Sequence, residues 1–391
     1  MKTQEKSYVA HHVDQLKPSG IRRFFDLASQ MEDVISLGVG EPDFVTPWNV
    51  IEASYHSLEQ GYTSYTANAG LLELRQEISK FLKGQYSVEY NPENQVLVTV
   101  GASQAIDVAL RAILDSGDEV IVVEPSFVSY VPTVRLAGGV PVTVDATQEY
   151  AFKIQAEQIE EVITPKTKAL MICSPNNPTG AVLSKQEMEK IAKVVEKHDL
   201  VVISDEIYAD LTYDETYTSF ASITGMSERT ILISGFSKAF AMTGWRLGYA
   251  AGPKSILEAM TKIHQYTIMC APTMAQHGAL EALRNGKNNV LEMKTSYRQR
   301  RNFVVKSLQD MGLSCHLPGG AFYVFPSITS TGLSSEEFAE ELLQSQQVAV
   351  VPGGVFGDSG EGYIRCSYAT SMKQLDKAMK RMRRFVEQKV K

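Results

Sequence analysis

The sequence predicts an α/β protein in which a large domain with a mostly parallel central sheet is joined to a smaller α+β domain. Three observations predict it. From about residue 95 to 252, short β-branched runs alternate with longer stretches of helical period, the pattern of a parallel layer fold. Each candidate strand ends in a turn cluster or in polar residues, and open parallel sheets bind ligands outside such strand ends. The length of 391 residues exceeds one small core and falls short of three full domains.

Taken in order, residues 1–45 read as an arm belonging to the small domain. The arm ends in Leu37-Gly38-Val39-Gly40-Glu41-Pro42, whose glycines and proline break any helix. Residues 46–288 form the large domain, with candidate strands at 95–100, 119–123, 168–173, 200–204, 230–234 and 247–251. Residues 289–391 form the small domain. Residues 288–311 have the length and apolar spacing of a long helix, and 319–325 read as a strand entered through a glycine turn. A basic amphipathic helix runs from Ser371, its lysines and arginines forming a solvated face. The Pro-Gly-Gly triplets at 318–320 and 352–354 are two tight turns rather than a repeat.

With 44% hydrophobic and 21% charged residues and no low-complexity tract, the chain is globular. A formal net charge of −7, without a block of like charges, gives no reason to bind nucleic acid or an anionic membrane. The first residues are polar, and no run reaches the roughly eighteen apolar residues of a membrane span, so the cytoplasm is expected. Cys173, Cys270, Cys315 and Cys366 lie far apart, which suits packing in a reduced compartment rather than disulfides or zinc. His11-His12 has no partner motif and reads as solvent-exposed, so no metal is expected.

Several strand ends carry residues with chemistry. Lys238, in Ser234-Gly235-Phe236-Ser237-Lys238, stands among small and apolar residues that would desolvate it, favouring the neutral amine needed for covalent catalysis. Arg246 follows eight residues later, near enough for its fork to hold a phosphate on the same ligand. Gly101-Ala102-Ser103-Gln104-Ala105 ends a strand and opens a helix whose free N–H groups suit a phosphate, with a plain N-cap as the equal alternative. Asp205 ends the apolar strand Leu200-Val201-Val202-Ile203-Ser204; such a carboxylate is costly unless it meets a cation, and an Asp-Glu pair capping a helix is the bland alternative. Arg365, flanked by apolar residues in a β-like run, needs an anion: a substrate carboxylate or an internal salt bridge. Phe127, after a strand, would by itself be ordinary core.

The segment 234–249, ending in Thr243-Gly244-Trp245-Arg246-Leu247-Gly248-Tyr249, resembles the cofactor-lysine signature of the class I/II aminotransferases, fold type I of the pyridoxal-5′-phosphate (PLP) enzymes. The resemblance extends over nearly the whole chain through Gly40-Glu41-Pro42-Asp43-Phe44, Tyr65, Ser174-Pro175-Asn176-Asn177-Pro178-Thr179-Gly180, Ser204-Asp205-Glu206-Ile207-Tyr208 and Tyr363-Ile364-Arg365. It implies that Lys238 carries the cofactor, that Asp205 meets the ring nitrogen, and that Tyr208 and Asn177 bond the ring hydroxyl. Ala102, Ser103, Ser237 and Arg246 would hold the phosphate, and Phe127 would stack on the ring. Gly40, Asn177 and Arg365 would receive the substrate, Arg365 through its α-carboxylate. Tyr65 would reach the phosphate of a neighbouring subunit, which implies a C2 homodimer with shared active sites. In one departure, Gly235 stands where many relatives place a phosphate-binding serine.

The resemblance implies transfer of an amino group from an amino acid to a 2-oxo acid, 2-oxoglutarate foremost, by a ping-pong route in amino-acid biosynthesis. Rival readings are a PLP lyase or synthase on the same fold, a non-catalytic PLP-binding regulator, and a nicotinamide-dependent dehydrogenase, against which the missing G-x-G-x-x-G counts. Substrate choice is expected to rest on Ile21, Phe24, Ser103 and Tyr323. Some aspartate-using relatives carry lysine where Ser103 stands. The phrases Tyr65-Thr66-Ala67-Asn68-Ala69-Gly70 and Ile263-His264-Gln265-Tyr266 are similar to the branch that holds N-acetyl-L,L-diaminopimelate aminotransferases together with aspartate, aromatic and broad-range enzymes.

Overall fold

A computed structural model describes residues 8–16, 18, 20 and 31–389. Its centre is a seven-stranded sheet whose strands, in chain order, are β2 (Val96–Thr99), β3 (Glu119–Glu124), β4 (Val140–Asp145), β5 (Thr167–Cys173), β6 (Val201–Asp205), β7 (Thr230–Gly235) and β8 (Gly248–Ala251). In space the order is β2-β8-β7-β6-β5-β3-β4. Strands β4, β3, β5, β6 and β7 run parallel, and β8 runs antiparallel to both β7 and β2. The inner strands are mostly apolar because helices cover both faces; all residues of β7 and β8 are buried.

The strand β4 was not among the sequence candidates. It lies at the sheet edge, Val140 is 45% exposed, and Pro141 interrupts its β-branched run. A proline that cannot donate to a ladder is tolerated only at such an edge, so the residue that hides the strand in the sequence also explains its place.

Around this sheet stand short strands: β1 (Ile35–Ser36), β9 (Tyr323–Val324), β10 (Val348–Ala349), β11 (Val351–Pro352) and β12 (Ile364–Ser367). β1 pairs in parallel with β10, which fastens the arm to the carboxyl-terminal part, and β12 lies between β11 and β9. The strand expected at 319–325 shortens to β9, because Ala321 has φ 59° and breaks the extended run. The long helix spans Lys287–Asp310, close to the expected 288–311.

The last helix, Met372–Lys389, buries Leu375, Ala378, Met379, Met382, Phe385 and Val386. Its basic face is not merely solvated: Lys377 and Arg381 both pair with Asp33, at 2.9 and 2.5 Å, and Lys389 pairs with Glu341 at 2.6 Å. Among the described residues no helix is long and apolar enough to cross a membrane.

Candidate active site

The parallel strands deliver their carboxyl ends to one edge of the sheet. Cys173 and Asp205 are register partners there, as are Asp205 and Ile233, and Lys238 follows three residues after β7. A cavity of about 560 Å³ opens above this edge. Gly38, Gly40, Ala102, Ser103, Phe127, Asn177, Asp205, Tyr208, Ser237, Lys238, Arg246 and Arg365 all line it, so the residues expected to hold cofactor and substrate, Tyr65 apart, converge on one space.

At the floor, the Lys238 ammonium donates to the Gly40 carbonyl at 2.6 Å. Burial pulls its pKa down to about 8; the carboxylate of Glu41 opposes this, and the Arg365 and Arg246 cations reinforce it. The neutral amine is therefore accessible near neutral pH. Asp205 is buried, and burial raises its pKa, while hydrogen bonds from Tyr130 and from Ile207 N and the Lys238 charge pull the other way. Its neighbour Glu206 turns away from the cavity. Glu206 Oε1 accepts from the hydroxyls of Ser204 and Ser219, each at 2.9 Å, and from Phe220 N at 3.2 Å. The adjacent acids therefore split between two environments; Asp205 bonds the following turn and also faces the cavity.

Arg365 is 3% exposed. Its Nη1 donates to Asn177 Oδ1 at 2.9 Å and its Nη2 to Gly38 O at 2.7 Å, while Nε is buried without a hydrogen-bond partner. Its guanidinium lies over the Tyr323 ring at 4.4 Å and the Phe356 ring at 4.9 Å. Among the described residues no carboxylate pairs with it. Tyr323 also exchanges a hydrogen bond with Tyr208 at 2.9 Å. A Cβ at Gly40 would meet the Tyr323 hydroxyl at 2.7 Å, so a larger residue cannot stand there.

At the opposite end, the helix Ala102–Ile113 begins without a side-chain cap. A Cβ at Gly101 would lie 2.7 Å from Arg246 Nη2, which places the guanidinium beside these free N–H groups. Arg246 has φ 53°, in the left-handed region that side chains avoid. A cation beside an uncapped helix start is an anion cradle. The departure at Gly235 has a packing cause: a Cβ there would meet Gly248 Cα at 2.8 Å across the β7–β8 pair.

Other residues of the cavity were not foreseen. Tyr130 donates to Asp205 Oδ2 at 2.6 Å. Cys173, expected to be packing alone, lines the cavity because it ends β5 beside Asp205. Thr243 at the mouth donates to Glu41 at 3.2 Å. Tyr65 is 77% exposed and not part of the cavity lining within one chain. Ile21 and Phe24 lie outside the described residues.

These features define a space lined by a desolvated amine, an anion cradle and a buried guanidinium that no carboxylate pairs with among the described residues. The family model "Aminotransferase class I and II" matches residues 32–382. The chain belongs to this family. Its relatives include YugH of Bacillus subtilis, named as an aminotransferase, which is 64% identical over 380 residues covering 97% of this chain and 98% of the relative. The aspartate aminotransferase of Pyrococcus abyssi is 48% identical over 384 residues, covering 97% and 99%. Others are named for aromatic amino acids and for N-acetyl-LL-diaminopimelate. The solved aromatic aminotransferase of Pyrococcus horikoshii superposes with a TM-score of 0.90 at 48% identity, covering 93% of this chain and 99% of that one. The class I/II aminotransferase is accordingly a fold type I, PLP-dependent enzyme, which sets aside the regulator and the nicotinamide dehydrogenase.

The residues present fit PLP: the cradle of Ala102, Ser103 and Arg246 suits its phosphate, buried Asp205 suits a ring cation, and the desolvated Lys238 suits its aldehyde.

Proposed function

We propose that this aminotransferase moves the amino group of an L-amino acid to a 2-oxo acid, 2-oxoglutarate foremost, in a ping-pong cycle at the cavity around Lys238. The observation that carries this is that the buried Arg365, with no carboxylate partner among the described residues, lines the same cavity as a lysine whose amine is easily deprotonated. Arg365 would bind the substrate α-carboxylate, and Gly40, by its missing side chain, and Asn177 would leave room and orient it. Lys238 would then hold and move the proton between the substrate Cα and the reacting carbon above it, a transfer that gains from tethering. Asp205 would keep the ring nitrogen charged, Tyr208 and Asn177 would hold the ring hydroxyl, Phe127 would cover the ring face, and Ser237 would join the phosphate cradle. PLP, when bound, supplies the sink for electrons released at the substrate Cα.

For the donor, we propose N-acetyl-L,L-diaminopimelate or a broad range of neutral and aromatic amino acids. Beyond Lys238, Arg246 and Arg365, no cation lines the cavity among the described residues, so the lining does not select for a second carboxylate, whether of aspartate, 2-oxoglutarate or N-acetyl-L,L-diaminopimelate, and the donor reading rests on similarity to relatives named for several donors. A panel of donors with 2-oxoglutarate tests this: kcat/KM is expected to be higher for neutral, aromatic or N-acetylated donors than for aspartate, and a dominant aspartate rate would refute it.

A cytoplasmic homodimer completes the proposal. Tyr62, Tyr65, Tyr266 and Met269 are exposed, and Asn68 donates to Met269 O at 3.0 Å, so the segment around Tyr65 adjoins the end of the helix Lys254–Thr267 and offers apolar side chains to a second copy. We also propose that residues 1–45 and 289–391 form the small domain and 46–288 the large one.

A further inference from the structure

Tyr130 opens the helix Tyr130–Leu136 and lies 75 residues from Asp205 in the chain. It is 2% exposed. Its hydroxyl donates to Asp205 Oδ2 at 2.6 Å, while Ile207 N donates to Oδ1 at 3.1 Å, so both oxygens of the carboxylate are held. The same ring meets Phe127 edge to face, with centroids 5.7 Å apart at 81°. The loop before it is pinned where Ser126 N donates to Phe356 O at 2.9 Å, and Phe356 in turn lies under Arg365. Burial and the adjacent Asp205 charge push the Tyr130 hydroxyl well above its ordinary range, so it stays a donor at all working pH values.

We propose that Tyr130 is a positioning residue of the cofactor site: its hydroxyl aims the Asp205 carboxylate at the ring nitrogen, and its ring props Phe127 against the ring face. This rests on the assignment of the cavity to PLP. A carboxylate free to rotate would spend part of its time turned from the ring, and a buried one without its donor would be a poorer partner for a ring cation in its charged form. Tyr130 thus acts through Asp205 and touches no reacting atom.

The test is a double-mutant cycle on PLP affinity, measured on apo-protein by equilibrium dialysis. Tyr130→Phe keeps the ring and its contact with Phe127. It is expected to weaken PLP binding by about tenfold to a hundredfold, the loss typical of a hydrogen bond to a charged group. In an Asp205→Ala background the same change is expected to cost less than about twofold, since there is no carboxylate left to aim. A carbocyclic PLP analogue with C–H in place of the ring nitrogen is expected to bind Tyr130→Phe and wild type alike. Should Tyr130→Phe fail to fold, Tyr130→His, which restores a donor, takes its place and is expected to bind PLP within about threefold of wild type. Equal losses with and without Asp205, no loss at all, or a histidine variant as weak as Asp205→Ala would overturn the role of Tyr130. If wild-type apo-protein binds no PLP, the site assignment itself falls and this inference with it.

Discussion

Two cavities of similar size share two stretches of chain. The first, about 560 Å³, is lined by Asp205, Tyr208 and Lys238; the second, about 450 Å³, by Asp210, Phe240, Lys80, Arg284 and Lys294. Each therefore has an aspartate, at least one lysine and aromatic walls. In the second, however, the aspartate and the arginine already have protein partners: Tyr86 donates to Asp210 at 2.5 Å, and Arg284 pairs with Glu73 at 2.7 Å and with Glu77 at 3.5 Å. In the first, Arg365 Nε has no partner, and a helix opens uncapped toward Arg246. Volumes are alike; what distinguishes the first cavity is a buried arginine without a carboxylate partner among the described residues and an uncapped helix start in the same lining.

That contrast breaks if the two lysines prove equivalent. Lys238→Ala is expected to lower kcat by about 10⁴-fold or more, since on the proposed reading it removes both the covalent anchor and the proton carrier. Lys294→Ala is expected to leave steady-state rates within about twofold, and a comparable loss in both would erase the distinction. Next in size, Arg365→Leu is expected to lower kcat/KM for amino donors by about 30-fold to a few thousandfold, the range for losing one partner of a buried charged contact. Its affinity for PLP, measured by dialysis, is expected to stay near wild type.

A smaller effect concerns pH. With its pKa pulled to about 8, Lys238 is mostly protonated below that value and neutral above it, so the rate at which apo-protein captures PLP is expected to rise up to about pH 8 and then level off. A rate still climbing at pH 10 would mean an ordinary, solvated lysine. The smallest effect is expected at Asp210: Asp210→Asn keeps an acceptor for Tyr86, so transamination is expected to stay within about twofold and unfolding free energy by urea titration within about 1 kcal/mol.

The strand ends that build the first cavity were legible because inner parallel strands are mostly apolar and end at Asp205, Gly235 and Cys173. Lys238, Arg246 and Arg365 could be singled out for the same reason: a charge set in an apolar run must have a partner. Tyr130 could not, because an aromatic after a strand looks like core and its bond to Asp205 joins residues 75 apart. The satisfied state of Asp210 was equally hidden, since Tyr86 lies 124 residues before it. The edge strand β4 was masked by Pro141, and the Asp33 pairs of the last helix by a separation of more than 340 residues. Local pattern thus reveals which groups need partners; only the folded chain reveals which have found them.

The claim at the centre is that Lys238, and no other lysine, anchors the cofactor. Holoenzyme treated with borohydride, digested and examined by peptide mass mapping is expected to carry the reduced pyridoxyl phosphate mass on the peptide containing Lys238 alone. Label on Lys294 or another lysine instead, with Lys238 unmodified, would contradict the account.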